Sequence, residues 1–94
     1  MRDNMTEFKA RLDGERIILE TVSGAPLLIR EVIVKYSVTS LSPSDERSRR
    51  TITDETRVEK VTNRLEIPTR GLDVVEVTVI YKKGESTLRE DLAI

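Results

Sequence analysis

Val75-Glu76-Val77-Thr78-Val79-Ile80-Tyr81, closed by Lys82-Lys83-Gly84-Glu85, is the stretch that decides the fold. Side chains of an extended strand alternate between two faces, so Val75, Val77, Val79 and Tyr81 share one face. A second run has the same period, with Val32, Val34, Tyr36 and Val38 on one face and Glu31, Lys35 and Ser37 on the other. Two such strands in a short chain predict a sheet over a valine-rich core.

The punctuation around these runs predicts the remaining elements. Glycine and proline fall where alternation stops: Gly14, Gly24 with Pro26, Pro43, Pro68 with Gly71, and Gly84. A first strand is expected from Thr6 to Leu12, with Thr6, Phe8, Ala10 and Leu12 on one face. Asp13-Gly14 signals a tight hairpin, because both residues tolerate positive φ. The second strand then runs from Glu15 to Val22, and Ser23-Gly24-Ala25-Pro26 turns the chain into a long third strand, Leu27 to Ser40.

The middle of the chain has weaker periodicity. Leu41 to Arg50 is polar and reads as an exposed loop, with a short edge strand over Arg49 to Thr53. Val58, Val61 and Leu65 fit a helical face capped by Thr53 or Asp54, but the alternation of Val61, Asn63, Leu65 and Ile67 favours strand from Val58 to Ile67. A last strand is expected from Thr87 to Ile94, with Leu88, Leu92 and Ile94 alternating. About seven short strands separated by turns predict one all-β domain over residues 1–94: an antiparallel two-sheet sandwich of immunoglobulin-like type. A small open β-barrel is the alternative.

Composition excludes several chemistries. The 94 residues contain no Cys and no His, which removes disulfides, thiolate metal sites and the commonest general base. Net charge is −1 with 35% charged residues, so no general attraction to nucleic acid or anionic membranes is expected. No stretch has the apolar length of a membrane span, and Met1-Arg2-Asp3-Asn4 lacks a signal-peptide core, so a soluble chain is expected. Abundant Glu, Arg and Lys, no Gln, and Asn only at Asn4 and Asn63 resemble a thermophile's composition.

Candidate catalytic groups do not assemble. Glu90 and Asp91 are adjacent on a strand and point to opposite faces. Asp45 with Glu46 and Asp54 with Glu55 lack the spaced carboxylates of a calcium loop. Ser42, Ser44 and Ser48 have no activating base, and no phosphate-cradling glycine motif occurs. No catalytic residue, metal or cofactor is therefore expected. Arg47, Arg49 and Arg50 form a basic cluster that could grip phosphates, balanced by the surrounding carboxylates. Nucleic-acid binding would normally add stacking aromatics, which are scarce here.

The outer strand faces are more suggestive. With Val75, Val77, Val79 and Tyr81 in the core, Val74 and Ile80 point outward beside Glu76 and Thr78. By the same alternation Ile33 lies outside with Glu31 and Lys35, and Ile18 with Arg16 and Glu20. On adjacent strands Ile18, Ile33 and Ile80 would form one patch suited to another subunit. An unpaired final strand could also recruit a neighbour by strand addition.

Arg16-Ile17-Ile18-Leu19-Glu20-Thr21-Val22-Ser23-Gly24-Ala25-Pro26-Leu27, followed by Glu31-Val32-Ile33-Val34-Lys35-Tyr36, resembles the strand-turn-strand of archaeal type IV pilin-like proteins. The related archaellum stator subunits carry soluble immunoglobulin-like sandwiches. The resemblance covers about a quarter of the chain. It departs from the pattern at Thr21, where histidine is common, and at Ser23, where a second glycine is common. It also lacks the apolar N-terminal helix through which such proteins are anchored.

The resemblance implies a soluble domain of an archaeal cell-surface filament or envelope assembly, at the cell surface if an anchor precedes it and cytoplasmic otherwise. The expected function is a non-enzymatic structural or interaction module, with a protein partner or homo-oligomer contacted through Ile18, Ile33, Val74 and Ile80. The alternative is a phosphate- or nucleic-acid-binding β domain that uses Arg47, Arg49 and Arg50.

Overall fold

The computed structural model describes residues 6–41 and 47–94. Expectations placed on Met1 to Asn4 and on Ser42, Pro43, Ser44, Asp45 and Glu46 lie outside the described residues. Seven strands run in chain order: β1 Phe8–Asp13, β2 Arg16–Thr21, β3 Leu27–Leu41, β4 Arg47–Thr62, β5 Arg64–Pro68, β6 Asp73–Lys83 and β7 Ser86–Ala93. They form two antiparallel sheets, one ordered β1-β2-β5 and one ordered β4-β3-β6-β7. The result is an open sandwich rather than a closed barrel, and no helix occurs among the described residues.

The core lies between the sheets and follows the alternation. Phe8, Ile17 and Leu19 from the smaller sheet meet Ile29, Val32, Val34, Tyr36, Val77, Val79, Tyr81 and Leu92 from the larger one. Phe8 and Tyr81 pack edge to face with ring centres 4.8 Å apart, a favourable aromatic geometry. Asp13 pairs with Arg16 and Lys83 with Ser86, so both short hairpins turn through two residues. Gly14 and Gly84 each take φ near +64°, as such turns demand.

Two bulges in β3 and its neighbours change which side chains face the core. On β6 the register steps from Lys35↔Glu76 to Tyr36↔Val74, so Val75 is an extra residue. Val74 consequently packs on the core, while Val75 is 49% exposed. This reverses the assignment from simple alternation, which placed Val75 inside and Val74 outside. The second irregularity lies between Ile29 and Glu31, where β4 steps from Lys60 to Arg57. There Glu59 takes φ +47°, and its carboxylate accepts a hydrogen bond from Arg30 Nε at 3.3 Å.

The centre of the chain is strand rather than loop. Leu41 pairs with Arg47, and the ladder continues without a register shift to Glu31↔Arg57. Arg47 to Arg50 therefore belong to β4, correcting the exposed loop expected through Arg50, while the edge strand expected over Arg49 to Thr53 is present as part of a longer one. The reason is visible in the pairing: β6 reaches only to Ser37, so the outer parts of β3 and β4 extend beyond it as a two-stranded arm. Such an arm has no core face and hence no apolar period. The strand expected over Val58–Ile67 breaks at Asn63, where the chain crosses from the larger sheet to the smaller one. Asn63 O accepts from Thr21 N, and Asn63 Nδ2 donates to Gly24 O, both at 3.0 Å.

Candidate interaction surface

The four apolar residues expected to make contacts do not form one surface. Ile18 is on β2 in the smaller sheet, whereas Ile33 and Ile80 are on β3 and β6 in the larger one. Their outward faces lie on opposite sides of the sandwich, so the single patch does not exist. Ile18 is also only 2% exposed. Its cross-strand partners are Arg11 and Glu66, within a charged face where Arg16 and Arg64 reach Glu66 at 2.8 and 3.3 Å. The aliphatic stems of such residues cover apolar surface while their charges stay in water. Val74 is removed by the bulge.

Ile33 and Ile80 do lie close together, because Ile33 pairs with Thr78 and Ile80 with Glu31. Both are half-buried. Around them the outer face is polar and, towards β7, internally paired. Thr78 donates to Asp91 Oδ1 at 2.7 Å, Arg89 reaches the same oxygen at 3.1 Å, and Lys35 meets Glu76 at 3.4 Å. The bond from Thr78, with help from Arg89, holds the Asp91 carboxyl below its usual range.

The final strand is tied through a side chain, although among the described residues no strand bonds to its outer edge. Glu90, on the opposite face of β7 from Asp91, accepts bonds from Glu7 N at 2.7 Å and Phe8 N at 3.1 Å. It also accepts one from the Tyr81 hydroxyl at 2.8 Å. A single carboxylate thus ties the start of β1 to β7 and closes that side of the sandwich. Lys83 pairs with Glu7 beside it.

The β4 edge is longer, 16 residues against 8 in β7. β4 bonds to β3 on one side, and among the described residues no strand bonds to its other side. Every residue from Arg49 to Arg57 is exposed, and Ile52 retains 46% of its surface. Arg49 pairs with Thr39 and Arg50 with Val38, so their side chains project to opposite faces of the arm. Neither they nor Asp54 and Glu55 have an ion-pair partner among the described residues. Thr51-Ile52-Thr53, the β-branched centre of this edge, was the available sequence signal, masked by the charges on both sides.

Where the arm leaves the sandwich, an open cleft of about 560 Å³ lies between the β1–β2 and β5–β6 turns. Leu12 and Leu72 supply apolar lining, and Glu15, Asp73 and Arg49 supply charge. Its floor is tied by Thr69, which donates from N and Oγ1 to Glu15 O at 2.9 and 3.2 Å. Among the described residues no group of three acidic side chains is placed to hold a metal ion. No protein-family model matches the chain, and neither a curated protein nor a solved structure shows significant similarity to it.

Proposed function

We propose that this chain is a non-enzymatic protein-interaction module that binds through the free edge of β4. One observation carries the reading: β4 is a 16-residue strand whose outer edge is unpaired among the described residues. Such an edge presents a row of backbone donors and acceptors to any incoming strand. Of the devices that usually block strand addition, charge is present where it is most exposed, at Arg49, Arg50, Asp54, Glu55 and Arg57, but the backbone devices are missing. Between Arg49 and Arg57 there is no proline, glycine or register shift, and the bulge lies beyond, at Glu59. The resemblance of Arg16–Leu27 and Glu31–Tyr36 to archaeal pilin-like proteins supports a cell-surface filament or envelope assembly as the setting.

Peptide-display selection against the folded domain, followed by NMR mapping of the selected peptides, tests this reading. Extended peptides that shift the amides of Arg49 to Arg57 are expected. Selected peptides that all map to the Leu12–Leu72 cleft or to the Ile33–Ile80 face would refute it. The position of Arg49 on the cleft supports a second reading, capture of an anionic ligand there. Binding of that kind weakens steeply with added salt, whereas backbone pairing of a neutral peptide does not.

A further inference from the structure

The exposed part of β4 reads Arg49-Arg50-Thr51-Ile52-Thr53-Asp54-Glu55. Its charge order is antisymmetric about Ile52: two cations, Thr, Ile, Thr, two anions. Antiparallel pairing reverses one strand against the other, so this order matches itself. If Ile52 stands opposite Ile52 of a second copy, Thr51 falls opposite Thr53, Arg50 opposite Asp54 and Arg49 opposite Glu55, each pair occurring twice. Directly opposed residues share a face, and Arg50, Ile52 and Asp54 do occupy one face of β4 while Arg49, Thr51, Thr53 and Glu55 occupy the other.

We infer that the partner of the β4 edge is a second copy of this chain, paired antiparallel about a twofold axis at Ile52. The inference rests on the edge-binding reading above and names its occupant. The two larger sheets then join into one sheet of eight strands, ordered β7-β6-β3-β4-β4-β3-β6-β7. The contact is isologous, as a closed dimer requires.

Three observations meet at this place. The edge is unpaired among the described residues over the whole antisymmetric segment. The segment is straight ladder, with every residue from Arg47 to Arg57 in uninterrupted register with β3. Its four inner charges have no intrachain ion-pair partner among the described residues, where seven ion pairs satisfy other charges. Charges on an edge strand normally repel an incoming strand. Here they repel a strand that sets like charges opposite them and favour this one. The match ends at the next charged position, where Arg57 would stand opposite Arg47, which limits the contact to the central residues and sets its register.

The test uses charge reversal in the full chain, with light scattering on a size-exclusion column over a wide concentration range. Arg50→Asp places two carboxylate–carboxylate pairs across the twofold, and Asp54→Arg places two guanidinium–guanidinium pairs there. Each variant alone is expected to raise the dimer dissociation constant by about tenfold or more, from two attractions turned into two repulsions. The equimolar mixture is expected to recover dimer as a heterodimer, because every acidic replacement then meets a basic one. Both substitutions lie on exposed positions, so circular dichroism melts at concentrations where the native chain is monomeric should match it, whereas at higher concentrations the native chain should melt later.

Variants that leave the native dimer intact would place the interface elsewhere and overturn the inference, as would two monomeric variants that fail to recombine. A native chain that stays monomeric at about 1 mM, which means a contact weaker than about −4 kcal/mol, also overturns it. The peptides selected against the domain separate the two levels of the reading. A monomer whose β4 amides still shift with an extended peptide loses only the second copy. A monomer with no strand binding at β4 loses the edge-binding function as well.

Discussion

Tyr81 donates its hydroxyl to Glu90 Oε2 at 2.8 Å, while the two oxygens of that carboxylate also receive the backbone amides of Glu7 and Phe8. A core phenol, an edge strand and the first strand of the other sheet therefore meet at one side chain. Hydrogen bonds to a charged acceptor are the stronger kind, and removing the acceptor strands every donor. Glu90→Ala is expected to cost about 2–3 kcal/mol of stability, and Tyr81→Phe about 1 kcal/mol, because the carboxylate keeps its amide donors. Urea titrations of the two variants check the order. Equal losses would mean that the tie to β1 contributes little.

The same contact dictates an alkaline limit. Burial first, then the bond to Glu90 and the charges of Glu90 and Glu7, raise the Tyr81 phenol above its ordinary range. Burial, with Asp54 second, also raises Tyr36. A raised phenol holds its proton in the folded state after the unfolded chain has released its own, so stability is full below about pH 10 and falls as pH rises beyond it. Denaturation midpoints measured from pH 8 to 11.5 should decline at the top of that range. The decline should be shallower in Tyr81→Phe, and an unchanged slope would remove Tyr81 from the account.

The β6 bulge makes opposite forecasts for two adjacent valines. Val74 packs on the core beside Tyr36, so Val74→Ala should cost about 1–1.5 kcal/mol for lost burial and packing. Val75 is exposed, and Val75→Ala should stay within about 0.5 kcal/mol. Thermal melts of the pair decide the matter, since unbroken alternation across Val74 to Tyr81 would give the reverse result.

That reversal marks the limit of what period two can carry. Alternation correctly placed Val32, Val34, Tyr36, Val77, Val79 and Tyr81 inside, because each run is regular ladder between bulges. A bulge shifts every later residue by one face, and it arises from register with a neighbouring strand that a local reading does not contain. Ile18 shows a second limit. Its outward direction was legible, but its burial depends on long charged neighbours brought beside it by β1 and β5. The β4 arm shows a third: a strand wet on both faces has no apolar pattern to read, so only the short edge strand over Arg49 to Thr53 was legible and its extension to Arg47–Thr62 was not. The length of the edge that carries the functional proposal was hidden for the same reason that makes it available.

The turn after β5 stores strain that a substitution can release. Arg70 adopts φ +59° and Gly71 φ +76°, closed by Leu72 N donating to Thr69 O at 3.1 Å. A left-handed conformation costs a residue with a Cβ about 1 kcal/mol, and glycine or asparagine carries it more easily. Arg70→Asn is expected to raise stability by roughly 0.5 kcal/mol. Arg70→Val should lower it, because a β-branched side chain suits that region least. Melting temperatures of both variants settle it, and a loss in both would show that the Arg70 side chain contributes more than its backbone costs.

Thr21 poses the opposite problem, a satisfied backbone with an idle side chain. It is 4% exposed, its amide donates to Asn63 O at 3.0 Å, and its Oγ1 has no hydrogen-bond partner among the described residues. A buried hydroxyl without a partner loses its hydration and gains nothing in return. Thr21→Val replaces that oxygen by a methyl of similar size and leaves the backbone bond in place. The expected gain is about 1 kcal/mol, or a rise of roughly 4–8 °C in Tm for a domain of this length. Thr21→Ala separates the polar effect from packing, since it removes the hydroxyl but also the methyl and should gain less or lose. A lower Tm for Thr21→Val would mean that the hydroxyl is bonded in solution, and the cost assigned to it here would be wrong.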